Sequence, residues 1–152
     1  MHTSDLDHLL PETAALLNRT RWNIHPGVLR VVLGGSRGLR GGFRPDSDID
    51  LSLIIDPAAL PPAEPEREAF LRTVIETALN SWQSPVELDT AAVFGSAEAL
   101  ELFARREYDE ALVARCAPEV MLYKVQKGFN GYVPNHVLDY RKIYPLVTIW
   151  KR

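Results

Sequence analysis

Between Val31 and Ile55 the chain reads VVLGGSRGLRGGFRPDSDIDLSLII, two apolar runs joined by a segment rich in glycine and arginine. In the second run Ile49, Leu51, Leu53 and Ile55 alternate with Asp48, Asp50, Ser52 and Ile54. That period of two belongs to a strand with one face turned to a core. Residues two apart on a strand leave the same face, so the carboxylates of Asp48 and Asp50 stand side by side on rigid backbone. Two such charges repel unless a cation lies between them. Magnesium suits the position, because it takes oxygen ligands and is commonly shared between one or two carboxylates and substrate phosphates. The Gly34-Gly35-Ser36 turn that ends the first run would hold those phosphates, its glycines permitting close approach.

The order of these parts resembles the nucleotidyltransferase superfamily related to DNA polymerase beta. Its signature is a strand, a Gly-Ser or Gly-Gly turn opening a short helix, then Asp-x-Asp on the next strand. The matching residues are Gly35 and Ser36, then Asp48 and Asp50, and GSRGLRGGFRPDSDIDL carries about one extra residue in its glycine loop relative to the family's short form. The resemblance covers about residues 31–94. It implies transfer of a nucleoside monophosphate, AMP from ATP or another nucleoside triphosphate, to a hydroxyl, with two Mg2+ ions (or Mn2+) held by Asp48 and Asp50. It also implies a third carboxylate on the neighbouring strand, as metal ligand or as base for the attacking hydroxyl. VELDTAAVF (Val86 to Phe94) is the candidate strand, and Asp89, deeper in its apolar run, is favoured over Glu87. The acceptor is expected to be a small molecule or a protein. The alternatives are an antitoxin-type enzyme modifying a partner toxin and a non-catalytic nucleotide-binding subunit.

Charge is distributed unevenly. From Arg19 to Arg44 there are six arginines and no acid, from Pro45 to Glu119 sixteen acids and five bases, and from Val120 to Arg152 six bases and one acid. The arginine block coincides with the glycine loop, where Arg37, Arg40 and Arg44 are candidates for phosphate contact. A net charge of -3 argues against a broad nucleic-acid footprint. The sequence lacks the Gly-Lys-Ser/Thr of a P-loop. Lys124 and Lys127 read as a solvated helix face, and the four histidines show no metal-ligand spacing.

With 152 residues and 46% apolar composition, one domain over 1–152 is expected, and the resemblance implies that it is a nucleotidyltransferase domain. Cys116, the one cysteine, reads as a small buried hydrophobe. That cysteine count, the acidic N-terminus and the lack of a long apolar run lead to an expectation of a cytoplasmic protein with no membrane association. Ser4 is placed to cap a first helix, and Pro11 starts a second. Val28 to Leu33 reads as a strand, Ser36 as the start of a short helix or turn, and the four prolines in 57–65 as a loop. Glu66 to Trp82 reads as an amphipathic helix with Phe70, Val74, Ala78 and Trp82 on one face. Beyond Ser96 the pattern predicts a long helix to about Arg115 and another from Pro118 to about Lys127, with 136–150 ambiguous. The fold class is α/β (α+β): a mixed sheet backed by helices on one face, its core motif in 28–94 and a mostly helical part in 96–152. Phe129, Tyr144, Ile149 and Trp150 in the basic tail point to a homodimer or a partner-protein contact.

Overall fold

The computed structural model describes residues 6–107 and 109–152. Ser4 lies outside the described residues, as does the side chain of Cys116. The architecture is mixed α+β, a six-stranded mixed sheet in the order β5-β4-β3-β2-β1-β6. A short helix α1 (Leu6–Leu9) and α2 (Pro11–Arg19), the latter opened by its proline, precede β1 (Val28–Gly34). β2 (Ile49–Ile55) pairs antiparallel with β1. The helix α3 (Glu66–Ser81) then crosses over to β3 (Leu88–Gly95), which runs parallel to β2. Parallel neighbours need such a crossover, and its consequence is that β2 and β3 begin side by side. Ile49 is registered with Leu88, and Asp50 with Asp89.

Alternation in β2 sorts its side chains as the pattern requires. Ile49, Leu51, Leu53 and Ile55 are buried with α1, α2 and α3 on one face, whereas Ile54 joins a second cluster on the other. The stripe that α3 buries is Leu71, Val74, Ile75 and Ala78; Phe70 and Trp82 pack at its margin. The second cluster, including Val32, Ala91 and Val93, is covered by α4 (Ala97–Phe103) and by Tyr144 and Leu146 of the C-terminal segment. Helices therefore flank both faces, not one.

The last third departs most from the expected helical extension, since it supplies three of the six strands. Ser96 caps α4 by accepting from Ala99 N–H, but the long helix ends at Phe103. Asp109 starts a separate α5 (Glu110–Cys116) by accepting from the amides of Ala111 and Leu112. Where Pro118 suggested a helix, a single 3-10 turn at Ala117–Glu119 leads into β4 (Val120–Lys124), antiparallel to β3. β5 (Gly131–Val133), a four-residue α6 (Tyr140–Ile143) and β6 (Val147–Lys151) follow, and β6 pairs with β1 at the opposite sheet edge. No helix among the described residues is long and apolar enough to cross a membrane.

The ladder between β3 and β4 runs from Ala92 to Gly95 and stops short of Asp89. Gln126 continues it with its side chain, donating from Nε2 to Leu88 O at 2.8 Å and accepting at Oε1 from Thr90 N–H at 3.0 Å. Leu88 and Thr90 are buried, so this amide is what satisfies the backbone on either side of Asp89. Gln126→Ala should lower unfolding free energy by about 1–3 kcal/mol, the usual penalty for buried polar groups left unpaired, as measured by urea denaturation. A loss below about 0.5 kcal/mol would show that water substitutes freely.

Candidate metal centre and adjoining cavity

Three carboxylates meet where β2 and β3 begin. Asp48 precedes β2, Asp50 is its second residue and Asp89 the second of β3, and one ligand oxygen from each lies within 4.8 Å of the others. Parallel register sets Asp50 against Asp89, and the period of two sets Asp48 on the same side. Glu87 stays outside the group. Its carboxylate is largely exposed and lies 3.7 Å from Lys127 Nζ.

Crowding shows in the electrostatics. The Asp50 carboxyl is pushed up to about 7, first by burial and then by the negative charges of Asp48 and Asp89, with Lys124 opposing. Two lysines offset the remaining charge. Lys124 Nζ lies 3.0 Å from Asp89 Oδ1 and donates to Oδ2 at 3.1 Å; Oδ1 takes the charge contact without a well-aligned hydrogen bond. Lys127 Nζ lies 2.9 Å from Asp48 Oδ2, and that carboxylate holds the Lys127 ammonium above its ordinary value. The donor set fits a divalent cation: it is all-oxygen and partly buried, and a bound cation would take the place of the proton on Asp50.

Both lysines were read from sequence as a solvated helix face. A helix from Pro118 would put them, three apart, on one solvated face, whereas the strand puts Val120, Leu122 and Lys124 on one side in period two. Lys127 follows in a turn with φ 56°. The sequence signal for the strand is the short run Val120-Met121-Leu122-Tyr123, which by itself does not distinguish strand from helix after the proline start signal.

The glycine turn serves the carboxylates directly. Gly35 has φ +71°, and a Cβ there would stand 2.0 Å from Asp50 Oδ2. At Gly34 a Cβ would meet Ile143 O at 2.7 Å and Leu146 at 2.8 Å. These two glycines let Asp50 and the C-terminal segment close onto the end of β1. Ser36 is half-buried in the turn that follows, which has no helix.

The three candidate arginines separate. Arg37 is buried at 4% exposure, with Nε donating to Ser47 O at 2.7 Å and Nη2 reaching the carbonyls of Arg44 and Pro45 at 3.4 and 3.3 Å. Its guanidinium also lies 4.6 Å from the Phe43 ring centroid. The expected phosphate ligand is thus a brace that fixes the loop leading into Asp48. Arg40 and Arg44 are exposed beside it, and the Arg44 side chain forms a solvent-exposed pair with Asp46 at 3.6 Å.

Next to Asp50 and Asp89 opens a cavity of about 370 Å³. Gly34, Gly35 and Lys124 line its carboxylate end; the C-terminal segment between β4 and β6 folds over the remainder. The opposite wall therefore comes from the same chain. Comparison with protein-family models, with curated proteins and with solved structures returns no match.

Two outcomes follow. Because the folded state holds the Asp50 proton up to about 7, against 3.8 ordinarily, this group's ionisation opposes folding increasingly as pH rises through that interval. Asp50→Asn should stabilise the metal-free protein at pH 8 by on the order of 1–3 kcal/mol relative to its effect at pH 4. Denaturant titrations at the two pH values measure this, and an equal effect at both would contradict the crowding. Gly35→Ala should displace the Asp50 carboxylate and weaken Mn2+ binding at least tenfold in calorimetry; unchanged affinity would show that the turn yields instead.

Proposed function

We propose that the protein is a metal-dependent nucleotidyltransferase that moves a nucleoside monophosphate, AMP from ATP in the first instance, onto an acceptor hydroxyl. The observation that carries this reading is the convergence of Asp48, Asp50 and Asp89, with Asp50 seated against Gly35, beside a ligand-sized cavity. Magnesium or manganese held by the three carboxylates would supply positive charge against the phosphate oxygens and the leaving group.

The chain's own residues take the remaining tasks. The turn after Gly35 offers backbone amides to phosphate, with the exposed Arg40 and Arg44 as mobile cations over it. Lys124 and Lys127 already face anionic oxygens, and a phosphate bound beside them would be a second anionic partner within a short side-chain movement. Asp89, on the cavity side, accepts the proton of the acceptor hydroxyl. The hydroxyl oxygen bonds to the α-phosphorus, the bond from that phosphorus to the bridging oxygen breaks, and pyrophosphate leaves with the electron pair. Burial of Asp89 limits competition from water for that proton.

Labelled ATP incubated with Mg2+ and candidate hydroxyl acceptors tests the reading through pyrophosphate release and label transfer. Asp89→Asn should lower turnover by on the order of a hundredfold or more, the scale of losing a general base, with ATP still bound. Glu87→Gln should stay near wild type. The reverse ranking would move the base to Glu87, and transfer that survives Asp48→Asn with Asp50→Asn would dismiss the metal-dependent reaction.

A further inference from the structure

The cavity joins two kinds of lining. Asp50, Asp89 and Lys124 supply charge, whereas the apolar half of the described lining includes Phe103, Leu122, Phe129, Val137, Leu138 and Ile143, side chains with no hydrogen-bonding atom. Among the described residues, the other charged members of the lining are Asp139 and Lys142, one of each sign, and Ser52 adds a hydroxyl. Asp139 Oδ1 is already engaged as the cap of α6, accepting from Arg141 N–H at 3.1 Å. Thr90, also in the lining, has its amide and hydroxyl directed to Gln126.

Each kind of occupant meets this wall differently. A nucleobase placed against the apolar side chains would bury, at a cost of about 1–3 kcal/mol for each, every ring nitrogen or exocyclic group that does not reach Ser52, Asp139 or Lys142. A polycation would find no excess of acids beyond the metal-binding pair. A helix of a partner protein, about 10–12 Å across, does not enter a space of about 370 Å³. An apolar body carrying one hydroxyl loses nothing by entering, and its hydroxyl end meets Asp89.

We infer that the acceptor is a small alcohol or phenol with an uncharged, apolar body, seated in this cavity with its hydroxyl at Asp89 and the nucleotide outside the apolar half. The inference rests on the nucleotidyltransferase reading and specifies its substrate class. The volume is within the range of small-molecule sites. Val137 is 49% exposed, so the mouth of the apolar half lies at the surface where such a molecule could enter.

The test uses 4-phenylbutan-1-ol as probe and amide NMR of the full chain as readout. The probe should produce saturable shifts at Leu122, Phe129, Leu138 and Ile143, and these should persist when adenosine or a non-hydrolysable Mg-ATP analogue is added to saturation. Leu138→Asp should weaken the probe at least tenfold, and Val137→Asp, at an exposed position that tolerates a charge, should weaken it in the same direction if Leu138→Asp fails to fold. Displacement of the probe by adenosine would assign the apolar half to the base and overturn the inference. So would the absence of saturable shifts at the probe's solubility limit. If the probe saturates the cavity but Mg-nucleotide does not bind at all, the transferase reading fails and the acceptor role falls with it, an outcome recognisable because the apolar binding survives.

Discussion

Repulsion among Asp48, Asp50 and Asp89 is the constraint around which the rest of the structure is arranged. Three carboxylates within 4.8 Å of one another oppose folding unless something holds them. Backbone does so first. The parallel register of β2 and β3 fixes Asp50 opposite Asp89, Gln126 secures the strand on both sides of Asp89, and Arg37 ties down the loop before Asp48. Charge does so second, through Lys124 and Lys127 and through the proton that Asp50 retains up to about 7. Such an arrangement is costly for stability alone, which is why perturbed carboxylates in a cleft point to chemistry.

The glycines show how close packing and chemistry become the same requirement. Gly35 is needed because Asp50 occupies the space of its side chain, and Gly34 because the C-terminal segment rests on it. One turn thereby positions a carboxylate and admits the segment that roofs the cavity. The same tail brings Phe129, Val137, Leu138 and Ile143 over the sheet, together with Asp139 and Lys142, so the chain walls its own cavity.

Much of the core was legible because it is local. The alternation in 48–55, the proline at the start of α2 and the steps of four in α3 each follow from a single period or cap. The side-by-side placement of Asp48 and Asp50 follows from the same period. What escaped depended on contacts between distant segments. VMLYK is an apolar run too short to outweigh the proline before it, and becomes β4 by pairing with β3. β6 forms against β1, the other end of the chain. The roles of Lys124, Lys127 and Gln126 follow from that pairing, so they were hidden with it. Arg37 was misread for a related reason: an arginine in a glycine loop suits phosphate, but loop carbonyls accept the same donors, and here they surround it.

The most direct measurement of the central claim is paramagnetic broadening of amide NMR signals by substoichiometric Mn2+. A metal centre at the three carboxylates predicts that signals of Asp48, Ile49, Asp50, Asp89 and Thr90 broaden first, that excess Mg2+ restores them, and that Asp48→Asn with Asp50→Asn abolishes the effect. Broadening concentrated elsewhere, or unchanged in the double variant, would contradict it.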